Sequence, residues 1–161
     1  SKGMQLYARL AGDLSSDQVR DLALQLAQEM TRRFPELVLW KMTKSLRPDK
    51  VFLDWSQNSG SKTTLAPYSL RGRAQPSVAA PRTWEELADA DLAQLALHEV
   101  LERVEADGDL LAGLDTHRWS SADELASRCI ETSRAEMPTP SRQPDAYRAS
   151  VAMKGNSVEP V

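Results

Sequence analysis

The sequence has few of the residues that form covalent cross-links or metal clusters. Cys129 is its single cysteine, which excludes an internal disulfide framework and predicts a reducing compartment such as the cytoplasm. His98 and His117 are its two histidines, and their separation does not match the spacing of a zinc site. No apolar run approaches the ~20 residues needed to cross a bilayer. The start of the sequence also lacks the apolar core of a signal peptide.

The charges that are present are unevenly distributed. The chain has 161 residues, which is enough for one domain, and a formal net charge of −3. The segment 41–73 nevertheless contains seven basic and two acidic residues. The basic ones are Lys41, Lys44, Arg47, Lys50, Lys62, Arg71 and Arg73. A basic block inside an acidic protein indicates either a phosphate-binding surface or a solvated basic face.

One carboxylate inside this block stands out. Val51, Phe52 and Leu53 follow the turn signal Arg47-Pro48-Asp49 and predict a short buried strand, and Asp54 comes directly after it. A carboxylate at the end of a buried strand is partly desolvated, so it needs a cation, hydrogen-bond donors or a metal. The sequence therefore leaves two explanations open for Asp54: a metal ligand, or a structural carboxylate satisfied by nearby donors.

Four stretches of the sequence together resemble a known family. Residues 50–73 read KVFLDWSQNSGSKTTLAPYSLRGR, the chain opens with SKGMQLY, and residues 42–47 and 78–87 also fit. These stretches resemble the polymerase/primase domain attached to bacterial ATP-dependent DNA ligase D. That family belongs to the archaeo-eukaryotic primase superfamily and serves non-homologous end joining. The resemblance covers roughly residues 1–115.

The resemblance implies that the sequence is the carboxy-terminal part of such a domain. Family members carry an Asp-x-Asp pair and a histidine motif before the segment that ends here in Ser1-Lys2-Gly3. The spacing Asp-x-Asp recurs at residues 89–91 and 107–109, but the first lies in a helix-start pattern and the second in a helix-ending turn. We expect neither to replace the missing pair. This chain alone is therefore expected to be inactive, whereas the parent domain is a nucleotidyltransferase.

The resemblance also implies a set of site residues. Asp54 would be catalytic and would bind a metal, Mn²⁺ or Mg²⁺. Arg47 lies in a loop that contributes to the active site or to the arrangement of DNA ends, although a solvated turn arginine is an equal alternative. The residues implied to bind the nucleotide triphosphate are Ser1, Lys2, Gln57 and Arg71. Without the resemblance, Lys2 would be read as a solvated lysine at a chain end, and Trp55 as a core residue rather than a base-stacking one.

The implied partners are nucleoside triphosphates and DNA ends. They also include the missing amino-terminal half, a ligase domain and Ku. The implied location is the bacterial cytoplasm, on the nucleoid when the protein is bound to DNA.

Periodicity alone predicts only an α+β fold. With the resemblance, the predicted fold is the RRM-like half of a primase-type polymerase domain, with a mostly antiparallel sheet backed by helices. Strands 51–55 and 63–68 are predicted to form a hairpin that returns Arg71 to the vicinity of Asp54. The other predicted strands are 4–10 and 37–40, and the predicted helices are 15–34, 96–104 and 122–135. Thr83 is predicted to cap the start of a further helical segment through a capping box with Glu86. The predicted division is a domain at 1–136 and a proline-containing tail or linker at 137–161.

Three functions are compatible with these observations. In the first, the chain is a portion of a DNA repair primase/polymerase that adds NTPs or dNTPs to a primer 3′ end by metal-dependent phosphoryl transfer. Alternatively, it binds nucleotide or DNA without catalysis, or it is a degenerate remnant that binds no ligand. Manganese-dependent extension, salt-sensitive binding and self-association distinguish the three.

Overall fold

A computed structural model describes residues 3–89, 91–115, 124, 127 and 148–154 of the chain. These residues divide into two compact units, one formed by residues 1–63 and 116–161 and the other by residues 64–115. No helix in this described part is long and apolar enough to cross a membrane.

The regular elements alternate between short strands and two α-helices. In chain order they are β1 (Gly3–Arg9), α1 (Ser16–Arg33), β2 (Val38–Leu39), β3 (Val51–Leu53), β4 (Leu70–Arg71), β5 (Ser77–Val78), α2 (Leu97–Asp107) and β6 (Arg148–Lys154). Short 3-10 helices lie at Lys44–Leu46, Trp55–Asn58, Glu86–Ala88 and Ala112–Asp115. This mixture of helices and small sheets confirms the α+β class.

The first unit contains a four-stranded sheet in the order β1-β6-β3-β2. All of its described pairs are parallel: β6 with β1, β6 with β3, and β2 with β3. The prediction of a mostly antiparallel sheet is therefore wrong for this sheet. The connection between β2 and β3 is consistent with this, because the long segment 40–50 links them and parallel neighbours cannot be joined by a tight turn.

Strand β6 falls within the range 137–161 that was predicted as a tail or linker. Its backbone lies between β1 and β3, and Arg148 is level with both Gly3 and Phe52. The division of the chain at residue 136 stays a prediction, as does the RRM-like description of the fold.

Helix α1 supplies most of the core of the first unit. Ser15 caps it through a capping box with Gln18, whose side chain accepts from the Ser15 backbone N–H at 2.9 Å. The helix ends before Pro35, as predicted. Its buried face packs with Leu10, Val38 and Leu53 and consists of Val19, Ala23, Leu26 and Ala27. Because Leu53 is part of this core, α1 fixes the strand end that presents Asp54.

The predicted hairpin does not form. Residues 63–68 have no strand, and after Asp54 the chain enters the 3-10 helix Trp55–Asn58 instead of continuing as a strand. Pro67 has no N–H to donate to a ladder, and Tyr68 has a φ of 62°, which a strand cannot accommodate. The segment that carries Arg71 pairs instead with β5, as an antiparallel two-stranded sheet.

The second unit is held around α2. The predicted capping box between Thr83 and Glu86 forms, with the Thr83 N–H donating to Glu86 at 2.8 Å, but it opens only the short 3-10 helix Glu86–Ala88. Helix α2 agrees with the predicted helix 96–104 and extends it to Asp107. The predicted helix 122–135 lies outside the described residues, apart from Glu124 and Ser127, which are helical.

Candidate functional site

Asp54 is the most deeply buried ionisable residue among the described side chains, with 2% of its surface exposed. It follows β3 directly and opens the 3-10 helix Trp55–Asn58. Its two carboxylate oxygens accept hydrogen bonds from different side chains: Oδ1 from the Ser56 hydroxyl at 2.6 Å, and Oδ2 from the Gln57 amide nitrogen at 3.1 Å. A tight turn after a strand thus brings both donors back to the carboxylate that begins it.

A lysine contacts one of these two donors. The Lys62 ammonium donates to the Ser56 oxygen, while Ser56 itself is buried. Lys62 as a whole is exposed, although its ammonium contacts the buried Ser56 hydroxyl. The carboxylate therefore has the nearby donors of the structural explanation that the sequence left open, with a basic side chain one residue further away, and these contacts alone do not decide whether it also binds a metal.

Arg47 is held against β3 and does not lie free in solvent. Its guanidinium carbon is 3.9 Å from the centroid of the Phe52 ring, and its Nη2 donates to the carbonyl oxygen of Met42 at 2.6 Å. Its Nε is buried and has no hydrogen-bond partner among the described residues. A guanidinium over an aromatic face is a cation–π contact. The loop therefore holds the Arg47 guanidinium against Phe52, the residue of β3 that lies two positions before Asp54 in the chain.

Trp55 belongs to the core, as predicted. Its indole nitrogen donates to the carbonyl oxygen of Trp40 at 3.1 Å, and its ring packs against the core cluster of the first unit. A tryptophan held in this way gives rigidity to the turn that carries Ser56 and Gln57.

The remaining predicted site residues are not brought together by the described structure. Ser1 and Lys2 lie outside the described residues. Arg71 is half-buried on β4 in the second unit, where it pairs with Ser77. Among the predicted residues of the first unit that the structure describes, Gln57 contacts Asp54 directly.

The two Asp-x-Asp sequences have local structural explanations. Asp89 accepts the backbone N–H of Asp91 at 2.9 Å, which forms a side-chain-stabilised turn. Asp109 accepts the Tyr68 hydroxyl at 2.6 Å and the Leu111 N–H at 2.9 Å. Burial and the hydrogen bond to Asp109 raise the pKa of Tyr68 to about 12. These contacts give Asp89 and Asp109 a structural role, and the expectation that neither sequence is a metal site stays a prediction.

The donor set around Asp54 fits one ligand of a divalent metal. Mn²⁺ and Mg²⁺ prefer oxygen ligands, and a buried carboxylate is a strong one. In the part of the chain that the structure describes, however, no three His, Cys, Asp or Glu side chains lie close enough together to hold an ion. Asp54 fits the role of a single ligand, and the described residues do not form a complete site.

Sequence reasoning missed Ser56 and Lys62. Both lie in the motif that carried the resemblance, and Lys62 was counted in the basic block. A serine two residues after a strand-end aspartate is the one sequence signal for the contact, because such a turn returns its side chain to the carboxylate. Nothing in the sequence pattern indicated that Lys62 would reach Ser56.

Comparisons with known proteins identify the family of the chain. A family model described as LigD, primase-polymerase domain, matches residues 1–111, which is most of the chain. The chain therefore belongs to the LigD primase-polymerase family, a family of repair polymerase domains of non-homologous end joining.

The relatives it matches are multifunctional LigD proteins. The multifunctional non-homologous end joining protein LigD of Mycolicibacterium smegmatis is 48% identical over 157 residues, which cover 98% of this chain and 20% of that protein. LigD of Mycobacterium tuberculosis (strain H37Rv) is 52% identical over 146 residues, which cover 89% of this chain and 19% of the relative. The chain thus spans about a fifth of the length of these curated relatives.

A solved structure gives the same result. The polymerase domain of Mycobacterium tuberculosis ligase D, in complex with DNA, matches with a TM-score of 0.62 and 57% sequence identity. The match covers 68% of this chain and 38% of that one. The fold similarity and the sequence similarity therefore identify the same domain.

Proposed function

We propose that this chain supplies part of the nucleotidyltransferase site of a non-homologous end joining primase/polymerase, which adds NTPs or dNTPs to a primer 3′ end. Membership of the LigD primase-polymerase family supports this assignment. The observation that carries it is Asp54, a carboxylate 2% exposed at the carboxyl end of a parallel strand. In open sheets with parallel strands, ligands bind at the carboxyl ends of the strands.

Each proposed site residue has a role suited to its chemistry. Asp54 would be one oxygen ligand of a divalent ion, which neutralises charge on the transferring phosphates when bound. Gln57 presents an amide to the nucleotide while it donates to Asp54. Ser1, Lys2 and Arg71 would contact the triphosphate, Lys2 as a mobile point charge and Arg71 through its bidentate guanidinium.

Arg47 would act from the loop that precedes β3. Its contact with Phe52 fixes the guanidinium near the strand that carries Asp54. An arginine held there can meet a DNA end or a phosphate without a large loss of side-chain entropy, because the loop already restricts it.

The test is manganese-dependent extension of a primer-template by a complete polymerase domain that contains this chain, because the chain spans only part of the solved polymerase domain it matches and is expected to be inactive alone. We expect Asp54→Asn to reduce extension at least ~100-fold, because loss of even an indirect metal contact costs 10- to 100-fold. Asp13→Asn is the matched control, since Asp13 is exposed and lies outside the site. Extension that survives Asp54→Asn would disprove the assignment of Asp54.

A second function is nucleotide or DNA binding without turnover. It is favoured by one observation, the absence of a three-ligand metal cluster among the described residues. In this case the chain binds nucleoside triphosphate in a salt-sensitive manner, Arg71→Ala weakens binding, and no extension occurs. Arg20→Ala is the control, because Arg20 is engaged by Asp17 and Asp21 on α1. Absence of both extension and binding would favour a ligand-free remnant.

The names of the relatives support further proposals about the whole protein. A domain at 1–136 followed by a linker at 137–161 would join the polymerase to a ligase domain, and Ku and DNA ends would be partners. Mn²⁺ or Mg²⁺ would be the cofactor. We also propose that the protein works in the cytoplasm, on nucleoid DNA. Copurification of the ligase domain with the polymerase on broken DNA is the measurement that tests these associations.

A further inference from the structure

Three side chains form a directed chain of hydrogen bonds that ends on Asp54. The Lys62 ammonium donates to the Ser56 oxygen, and the Ser56 hydroxyl donates to Asp54 Oδ1 at 2.6 Å. Asp54 and Ser56 are 2% and 7% exposed, so the inner bond lies away from bulk water. Hydrogen bonds of this kind are stronger and more directional when they are buried and carry charge.

The chemistry of the three groups fixes the direction of the chain. A lysine ammonium has three donors and no acceptor, so its contact with Ser56 must occupy an acceptor lone pair of the hydroxyl. The single hydroxyl proton of Ser56 is then left to point at Asp54. Lys62 therefore fixes the direction of the Ser56 hydroxyl, which donates its proton to the facing oxygen of Asp54. This effect needs no direct contact between Lys62 and Asp54.

The backbone places Lys62 at the required position. The Ser59 N–H donates to the Ser56 carbonyl at 3.1 Å, and the Lys62 N–H donates to the Ser59 carbonyl at 2.9 Å. Two consecutive turns thus carry the chain from Ser56 round to Lys62. With Gln57 donating to the second oxygen at 3.1 Å, both oxygens of the carboxylate have fixed neighbours.

We infer that Lys62 and Ser56 are positioning residues that hold the Asp54 carboxylate in one orientation for the divalent cation. The inference rests on the proposed function, because it assigns a purpose to the orientation of Asp54. Groups that hydrogen-bond to a ligating carboxylate fix its geometry, and their removal lowers metal affinity or activity.

The first test needs neither metal nor substrate. The Asp54 side-chain carbon is observed by NMR in the ¹³C-aspartate-labelled chain with chelator at constant pH, and its resonance is assigned by its loss in Asp54→Asn. We expect Lys62→Met to move this resonance and Lys62→Arg to restore it, since an arginine also only donates. Lys50→Met is the matched control, because Lys50 donates to the Pro35 carbonyl at 2.6 Å. If the Asp54 side-chain resonance has the same position in Lys62→Met as in Lys50→Met, the inference is overturned.

The second test separates positioning from simple stability. In primer extension by a complete domain that contains this chain, Lys62→Met should raise the half-saturating Mn²⁺ concentration about 10- to 100-fold and leave primer-template affinity unchanged. Lys62→Arg should return it to the wild-type value. Because Lys62 is exposed, these variants are expected to fold. An unchanged Mn²⁺ requirement in an active enzyme would overturn the positioning role.

The two tests also distinguish failure of the inference from failure of the proposed function. A complete wild-type domain that contains this chain and extends no primer counts against the proposed function alone. The NMR comparison still decides whether Lys62 orients Asp54, because it does not require turnover.

Discussion

Glu86 shows at the scale of one residue how a carboxylate organises the second unit. Arg103 from α2 binds both of its oxygens, at 2.5 and 2.9 Å, and Arg82 binds Oε1 at 2.8 Å. The Thr83 N–H donates to the same group. The hydrogen bond from Arg103 is the main reason that the pKa of Glu86 is lowered to about 2. A bidentate arginine contact of this kind favours the charged carboxylate strongly.

The lowered pKa of Glu86 predicts a specific pH dependence of stability. The stabilisation is fully present above the ordinary pKa of 4.5 and is lost as the pH falls toward about 2. We expect Glu86→Gln to lower the free energy of unfolding by about 1–2 kcal/mol at pH 7 and by less at pH 2.5. Urea denaturation at both pH values measures this, with the exposed Glu102→Gln as control. An equal loss at both pH values would contradict the prediction.

Asp54 marks how far single residues could be predicted from the sequence. Its burial followed from three apolar residues before it, and its need for partners followed from the cost of a desolvated carboxylate. Its actual donors could not be predicted, because they depend on a 3-10 turn at Trp55–Asn58 that has no strong sequence period. The predicted strand ended at Trp55 and gave no direction to Ser56 or Gln57, whereas the turn directs both side chains to Asp54.

At the scale of elements, long periodic segments were predicted well and strand pairing was not. The stripe of α1 and its capping box specify the helix locally. Pairing of β1, β3 and β6 depends on residues far apart in the chain, and strands of two or three residues have too short a pattern to specify direction. The hairpin prediction failed because it treated residues 63–68 as a strand despite Pro67.

The turn that leads into β3 permits a second prediction. The Lys50 N–H donates to the Arg47 carbonyl at 3.1 Å, Pro48 is the second residue of the turn, and Asp49 is the third, with a φ of 58°. Proline at the second position and a left-handed residue at the third are typical of a type II turn. A β-branched residue is strained in that conformation.

We therefore expect Asp49→Val to lower the free energy of unfolding by about 1–2 kcal/mol, and Asp49→Gly to leave it unchanged or raise it. Asp49→Asn is the matched control, since asparagine tolerates the left-handed region and removes only the charge. Thermal or urea unfolding of the three variants gives the comparison. A valine variant as stable as the asparagine variant would show that the turn relaxes without cost.

At the scale of the whole molecule, the separation of charge is the feature with functional consequences. The chain has a net charge of −3, yet the segment 41–73 is strongly basic. Lys41 and Lys44 in this segment are exposed, whereas Arg47 is engaged by Phe52 and Met42. The acidic remainder would repel a nucleic acid elsewhere on the surface, so the exposed basic residues determine where a phosphate backbone can approach.

If the exposed lysines contact phosphates, the salt dependence of DNA binding reports it directly. Each phosphate contact contributes about 0.9 to the slope of log affinity against log salt concentration. We expect Lys44→Ala to reduce that slope by about 0.9 and to weaken binding equally for unrelated sequences, as a backbone contact carries no base information. Arg20→Ala on α1 should leave the slope unchanged, because Asp17 and Asp21 engage this arginine. Fluorescence anisotropy with labelled duplex across a salt series measures both variants.

An unaltered slope in Lys44→Ala would mean that this part of the basic block is a solvated face, and the phosphate contacts would then have to come from other residues of the domain.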